Sequence, residues 1–307
     1  MCSSDLTVIA SIAVGLVSDP AGNTSAASTS TDNTVTYDTV RPTLTSINRS
    51  TGATNPTNTG PLTWTATFIE PVSGVTASNF GLATSGITGT APSITSVATT
   101  DGSTLSTTWV ITVSTTGAIG ANAGSIGVNL TSATGIADAA TNTLSTATLT
   151  GQTYTYDTTV PTVTVALAAA SDTGSSSSDG ITSAATLTYN VTFSESVTGL
   201  ATGDFSLSGT SCTLGVLSGS GTTYTLTVTS CADGASVGLS VLANAVSDAA
   251  GNSGPAATTA AATVTIDRTG PTVTINQAAT QADPANASPV LLDRKSTRLN
   301  SSHITIS

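Results

Sequence analysis

Apolar and polar residues alternate with a period of two in a series of short runs along this chain. Leu62, Trp64, Ala66 and Phe68 form one such set, and Trp109, Ile111 and Val113 another. Val163, Val165 and Leu167 follow, then Leu187, Tyr189, Val191 and Phe193, then Tyr224, Leu226 and Val228. Alternation of this kind turns one set of side chains inward and leaves Thr outward, as in a half-buried strand. Gly, Asn, Asp and Ser separate the runs, and no apolar set recurs at helical spacing. The pattern predicts an all-β chain of antiparallel sandwiches with about seven strands each. In residues 157–266 the predicted strands lie near 162–168, 184–193 and Phe205, then in a hairpin with arms at 212–218 and 223–230, then at 236–243 and 257–266. Residues 38–156 follow the same plan.

The tract VSDPAGN (17–23) returns as IADAATN (136–142) and VSDAAGN (246–252), and nineteen residues after each Asp another Asp opens a linker. These linkers are DTVRP from Asp38, DTTVP from Asp157 and DRTGP from Asp267. A fixed offset inside repeats of 119 and 110 residues means that one unit is copied along the chain. Residues 7–37 then read as the last two strands of a preceding unit, 38–156 and 157–266 as complete units, and 267–292 as the start of another. The apolar stretch 8–17 lacks the basic leader of a signal peptide and aligns with 237–246, so it reads as a strand. No stretch is apolar for long enough to suggest a membrane-spanning helix.

Both ends differ from everything between them. Residues 293–307 (DRKSTRLNSSHITIS) hold the chain's Lys, its His and two of its Arg. Back-translated, this segment resembles a common sequencing adapter, and residues 1–6 (MCSSDL) resemble the reverse complement. Both are therefore set aside from fold reasoning.

The segments FIEPVSGVTASNF (68–80) and FSESVTGLATGDF (193–205), with the DxAGN tract and the Asp-Thr-Thr-x-Pro linker, resemble the bacterial immunoglobulin-like repeats of large surface adhesins and biofilm proteins. The resemblance implies an extracellular module at the bacterial cell surface, whose partners are neighbouring repeats in the same chain. It implies a spacer or stalk and no catalysis. The alternative is an accessory or carbohydrate- or protein-binding module of a secreted multidomain protein or hydrolase. One departure from the pattern is Ala139-Ala140-Thr141, where Gly usually precedes the Asn.

Composition narrows the chemistry. Only 7% of residues are charged and mean hydropathy is +0.24, which argues against charge-driven disorder. Between the set-aside ends only Arg41, Arg49 and Arg268 oppose fifteen acidic residues, for a net charge of about −12. Nucleic acid is excluded as a partner, because phosphate binding needs clustered cations. The same region has no His and no Lys, which removes Ser-His-Asp and Cys-His nucleophiles, His-based zinc sites and Schiff-base lysines. A carboxylate pair could still cleave a sugar bond. Glu70 and Glu195, however, occupy one position in successive copies, which suits a role in every unit better than a single active site. Trp64, Trp109 and Tyr189 fall on the inward phase of their strands, while Tyr37, Tyr154 and Tyr156 stand at strand ends.

Two sets of residues remain for site chemistry. Cys212 and Cys231 sit at the open ends of one predicted hairpin, where opposed residues approach within disulfide distance. Buried free thiols are the other reading, and the export implied by the resemblance favours the disulfide. The second set is acidic. In a sandwich entered at one end, the bend after the second strand and the last hairpin loop lie beside the incoming linker. Asp38, Glu70, Asp138 and Asn142 are then expected together, as are Asp157, Glu195, Asp248 and Asn252. Hard oxygen ligands in such number suit calcium, which would also relieve their mutual repulsion. The competing reading makes the Asp and Asn ordinary turn residues and the Glu a solvated side chain.

Overall fold

A computed structural model describes residues 6–209, 211–286 and 292–296. They fall into two compact units, the first running to Pro161 and including Ser247–Ser253, the second holding the remaining described residues from Thr162 on. Residues 1–5 and 297–307, most of the two set-aside ends, lie outside the described residues.

In the first unit the strands Leu44–Arg49, Leu62–Val72, Ser106–Ser114 and Ser93–Ala98 form a four-stranded antiparallel sheet in that order. A three-stranded sheet of Phe80–Gly89, Ala118–Leu130 and Leu149–Tyr156 completes the seven strands that the alternation predicts. The inward phase is the expected one: Leu62, Trp64, Ala66 and Phe68 are buried, and so are Trp109, Ile111 and Val113. With Ile126, Val128 and Leu130 from the second sheet they form one continuous core.

Ahead of this sandwich, Leu6–Ile9 pairs with Thr34–Tyr37 in antiparallel register, Thr7 opposite Thr36 and Val8 opposite Val35. The second unit repeats that register 229 residues later, with Ser236 opposite Thr265 and Val237 opposite Val264. Val8 and Val35 are exposed where Val237 and Val264 are buried, and Val237 packs into the second unit's core.

The second unit has a sheet of Val163–Leu167, Leu187–Val197 and Thr213–Thr229. Its other sheet runs Ile181–Thr182, Val264–Ile266, Ser236–Val241, Phe205–Ser208, with Thr259–Ala260 also on Ser236–Val241. Two strand expectations need correction here. The run predicted from 184 begins at Leu187, because the chain crosses between sheets after Thr182, which lies parallel to the strand ending at Ile266. The run predicted over 257–266 is two short strands. Beside the hairpin tip, Gly219 has a φ of +112°, and a Cβ on it would lie 2.3 Å from the Thr223 carbonyl oxygen. After residue 270, Val273–Gln277 pairs with Leu292–Ser296, so the segment set aside as an adapter contributes backbone to a strand.

The motif that ends in Phe80 and Phe205 has a local cause. A single 3-10 turn precedes each Phe, and the Asn79 and Asp204 side chains accept the amides of Thr76 and Ala201, each at 2.8 Å. Asn79 also donates to the carbonyls of Ser132 and Thr134, which ties this turn to the loop leading to Asp138.

Candidate metal centres

Each acidic corner is assembled from three kinds of backbone feature. The first is the linker Asp. Asp38, Asp157 and Asp267 each accept, through Oδ1, the amide two residues on, at 2.8, 2.8 and 3.2 Å. This Asx turn engages Oδ1 of each linker carboxylate.

The second is a bulge. The pairing of Leu62–Val72 with Ser106–Ser114 slips between Thr67 and Val72, and that of Leu187–Val197 with Thr213–Thr229 slips between Thr192 and Val197. Glu70 and Glu195 lie inside these slips. A bulge re-aims the side chains it contains, which explains why a Glu at the edge of a buried strand faces the linker instead of solvent. Gly74 closes the bend after the first bulge, where its missing Cβ would lie 2.0 Å from the Gly135 carbonyl oxygen.

The third is the DxAGN hairpin loop, which takes one geometry in all three copies. Asp19, Asp138 and Asp248 accept the amides of Asn23, Asn142 and Asn252 on Oδ1 at 2.9, 2.8 and 2.8 Å. The Asn Nδ2 groups return a bond to Oδ2 at 2.9, 3.0 and 2.8 Å. These bonds hold the Asp19 carboxyl below its ordinary pKa, the Asn23 side chain being the largest cause and its amide the next. The residue before each Asn needs positive φ, which Gly22 and Gly251 adopt at +88° and +92° and Thr141 adopts at +70°.

Asp38, Glu70 and Asp138 thereby present carboxylate oxygens within 4.8 Å of one another, with Asp138 buried and the other two half-buried. The counterpart residues divide between the compact units, Asp157 and Asp248 in the first and Glu195 in the second. The Glu70 Oε1 atom is sealed from solvent. Three carboxylates at this separation repel strongly in a partly desolvated corner, and a cation removes that cost. The donors are all hard oxygens, the set that fits calcium and does not favour zinc.

Asn142 and Asn252 come to the two corners in an unexpected orientation. Each presents its amide nitrogen, which donates to the carbonyl oxygen of Asp38 (3.2 Å) or Asp157 (2.9 Å) as well as to the loop Asp. In this arrangement each Asn fastens the linker to the loop, while its amide oxygen is turned away from these partners.

Cys212 and Cys231 are joined, with Cα atoms 4.1 Å apart. The ambiguous aromatic residues divide. Tyr154 and Tyr156 are buried, while Tyr37 is 62% exposed on its short hairpin. Trp64, Trp109 and Tyr189 are buried as their phase requires.

Sequence reasoning missed the three arginines, each of which donates to backbone carbonyls. Arg41 bonds the Thr143 and Leu144 carbonyls, and Arg49 bonds that of Thr153 and lies 5.7 Å from the Tyr154 ring centroid. Arg268 bonds the carbonyls of Ser183, Ala184 and Cys231. Carbonyl acceptors carry no residue signature, and the only available hint was the position of Arg41 and Arg268 inside linkers.

Two-sheet antiparallel sandwiches with an acidic corner place the protein among immunoglobulin-like β proteins. Residues 157–266 match the family described as the bacterial Ig-like domain. No curated protein matches the chain. Among solved structures, the N-terminal part of the bacterial S-layer protein SbsC is 18% identical over 74% of this chain and 44% of that one, with a TM-score of 0.25. The D0-D1 domain of intimin is 20% identical over 73% of this chain and 98% of that one, with a TM-score of 0.21. The chain thus spans less than half the length of the S-layer structure, and the assignment rests on the family match alone. No helix among the described residues is long and apolar enough to cross a membrane.

Proposed function

We propose that the chain is a non-catalytic extracellular spacer, a run of Ig-like repeats in a bacterial surface adhesin, stiffened by calcium at its acidic corners. The observation that carries this reading is the corner of Asp38, Glu70 and Asp138, whose linker Asp, bulge Glu and loop Asp recur along the sequence as Asp157, Glu195 and Asp248. A group used once per unit serves the unit, whereas an active site needs to occur once. Calcium takes six to eight oxygens, so three carboxylates would supply part of its shell and leave room for backbone oxygens or water. A cation held by Asp38, Glu70 and Asp138 ties that linker to the sandwich that follows it. The burial of Trp64, Trp109, Tyr154, Tyr156 and Tyr189 leaves few aromatic groups on the described surface for stacking on sugars, which favours a spacer over a carbohydrate-binding module.

The test is thermal unfolding of the full chain with calcium and with a chelator. Saturating calcium at one hundred times its Kd adds about 2.7 kcal/mol to a unit that binds one ion. Asp138→Asn should abolish the part of this gain that comes from the corner of Asp38, Glu70 and Asp138. Identical melting curves with calcium and with chelator would refute the calcium part of the reading.

A further inference from the structure

The linker that leaves the second unit is held by a set of contacts that the first unit's outgoing linker does not share. Arg268 Nη1 donates to the Cys231 carbonyl and Nη2 to that of Ala184, both at 2.7 Å, while Nε reaches the Ser183 carbonyl at 3.3 Å. Its own amide donates to Asp233 Oδ1 at 2.6 Å, and the Thr269 hydroxyl donates to Asp233 Oδ2. The Asp267 amide bonds the Thr182 carbonyl at 2.9 Å.

These acceptors come from separate parts of the fold. Ser183 and Ala184 lie on the crossing between the sheets, and Cys231 and Asp233 lie just beyond the strand Thr213–Thr229. One guanidinium therefore clamps two separate segments of the sandwich to the departing chain. Its partner Cys231 is itself fixed by the bond to Cys212, and 6% exposure keeps that residue in the core.

The first unit provides the contrast. Asp157 donates its amide to the Thr57 carbonyl at 3.0 Å and accepts the Thr159 amide at 2.8 Å, so the simple backbone ties are present. The position after Asp157 is Thr158, and that unit contains no cysteine beyond residue 6. An arginine directly after the outgoing linker Asp and a disulfide occur together in one unit and are both missing from the other.

We infer that the Cys212–Cys231 disulfide, Arg268 and Asp233 form one latch that fixes the direction in which the chain leaves the second unit. The disulfide immobilises the Cys231 carbonyl, the guanidinium carries that constraint to the linker, and Asp233 holds the linker backbone from its other side. The latch does not depend on a bound cation. Its elements are covalent and hydrogen-bonded, and they sit around Asp267, not at the corners that gather Asp157 or Asp38.

Hydrogen exchange of the Asp267, Arg268 and Thr269 amides in the full chain tests this inference. Cys212→Ser with Cys231→Ser and, separately, Arg268→Gln are each expected to speed exchange of these amides about ten-fold, the loss of one charge-assisted hydrogen bond. Combining all three substitutions should add little to either effect, because both break the same connection. If the cysteine variant leaves the linker amides unchanged, or if the effects multiply, the disulfide and Arg268 are independent and the latch does not exist. Asp233→Asn keeps the disulfide and the fold's core contacts, so it provides a second reading should the cysteine variant fold poorly. It is expected to speed exchange at Arg268 and Thr269, and unchanged exchange there would remove Asp233 from the latch.

Discussion

The two sandwiches repeat one pattern of strands but close their cores differently. In the first, the Trp64 ring meets Tyr154 edge to face at 4.8 Å, Trp64 Nε1 donates to the Gln152 carbonyl, and the Tyr154 hydroxyl donates to that of Thr63. Every polar tip of this pair is satisfied. In the second, Tyr189 occupies the place of Trp64 on the matching strand, Val264 takes the place of Tyr154, and the buried Tyr189 hydroxyl has no hydrogen-bond partner. A disulfide that the first unit lacks compensates for the smaller aromatic content. The same fold thus tolerates two kinds of fastener, one through packing and one through a covalent bond.

The largest effect that would break this comparison falls on the aromatic side. Trp64→Ala should cost the first unit about 4 kcal/mol, the range for emptying a core aromatic site, and leave the second unit's unfolding transition in place. Calorimetry of the full chain resolves the two transitions. Removing the disulfide by Cys212→Ser with Cys231→Ser should lower the second transition alone, by about 3 kcal/mol in the chain-entropy description.

Smaller changes sharpen the contrast. Tyr189→Phe removes a buried hydroxyl that lacks a partner and should stabilise the second unit by about 1 kcal/mol. Burial raises the pKa of Tyr189 above its ordinary value of 10.0, so the folded state holds this proton more tightly than the unfolded state. The stability linked to that proton is fully present below pH 10 and is lost as the pH rises through the folded value. Tyr189→Phe should therefore flatten the second unit's alkaline stability profile. Thr141→Gly gives the loop of the first unit the residue that its +70° φ asks for, and should raise that unit's melting point by an amount equivalent to about 1 kcal/mol. Guanidinium unfolding curves would detect it.

The sequence was most legible where chemistry and period coincide. Strands such as Leu62–Val72 and Leu187–Val197 follow directly from their alternation, since a half-buried sheet requires it. The meeting of Asp38 with Glu70 and Asp138 was legible because each residue recurs at a fixed place beside a fixed bend. The orientation of Asn142 was not, because an amide carries a donor and an acceptor on one carbon and only the fold selects between them. Tyr154 was ambiguous because a residue at a strand end has no alternating neighbour beyond it. The Ile181–Thr182 strand is two residues long, too short to show any period.

The DxAGN loop has a consequence for how each unit comes into being. Its internal bonds span only four residues, and the copy at Asp19 and Asn23 makes them with no acidic corner around it among the described residues. The bond from Asn142 to the Asp38 carbonyl joins positions 104 apart. Local contacts form early and distant ones late, because closing a longer stretch of chain costs more entropy. A sandwich emerging from a ribosome or a secretion channel therefore has its hook ready at once, but cannot fasten its own beginning until its end has arrived.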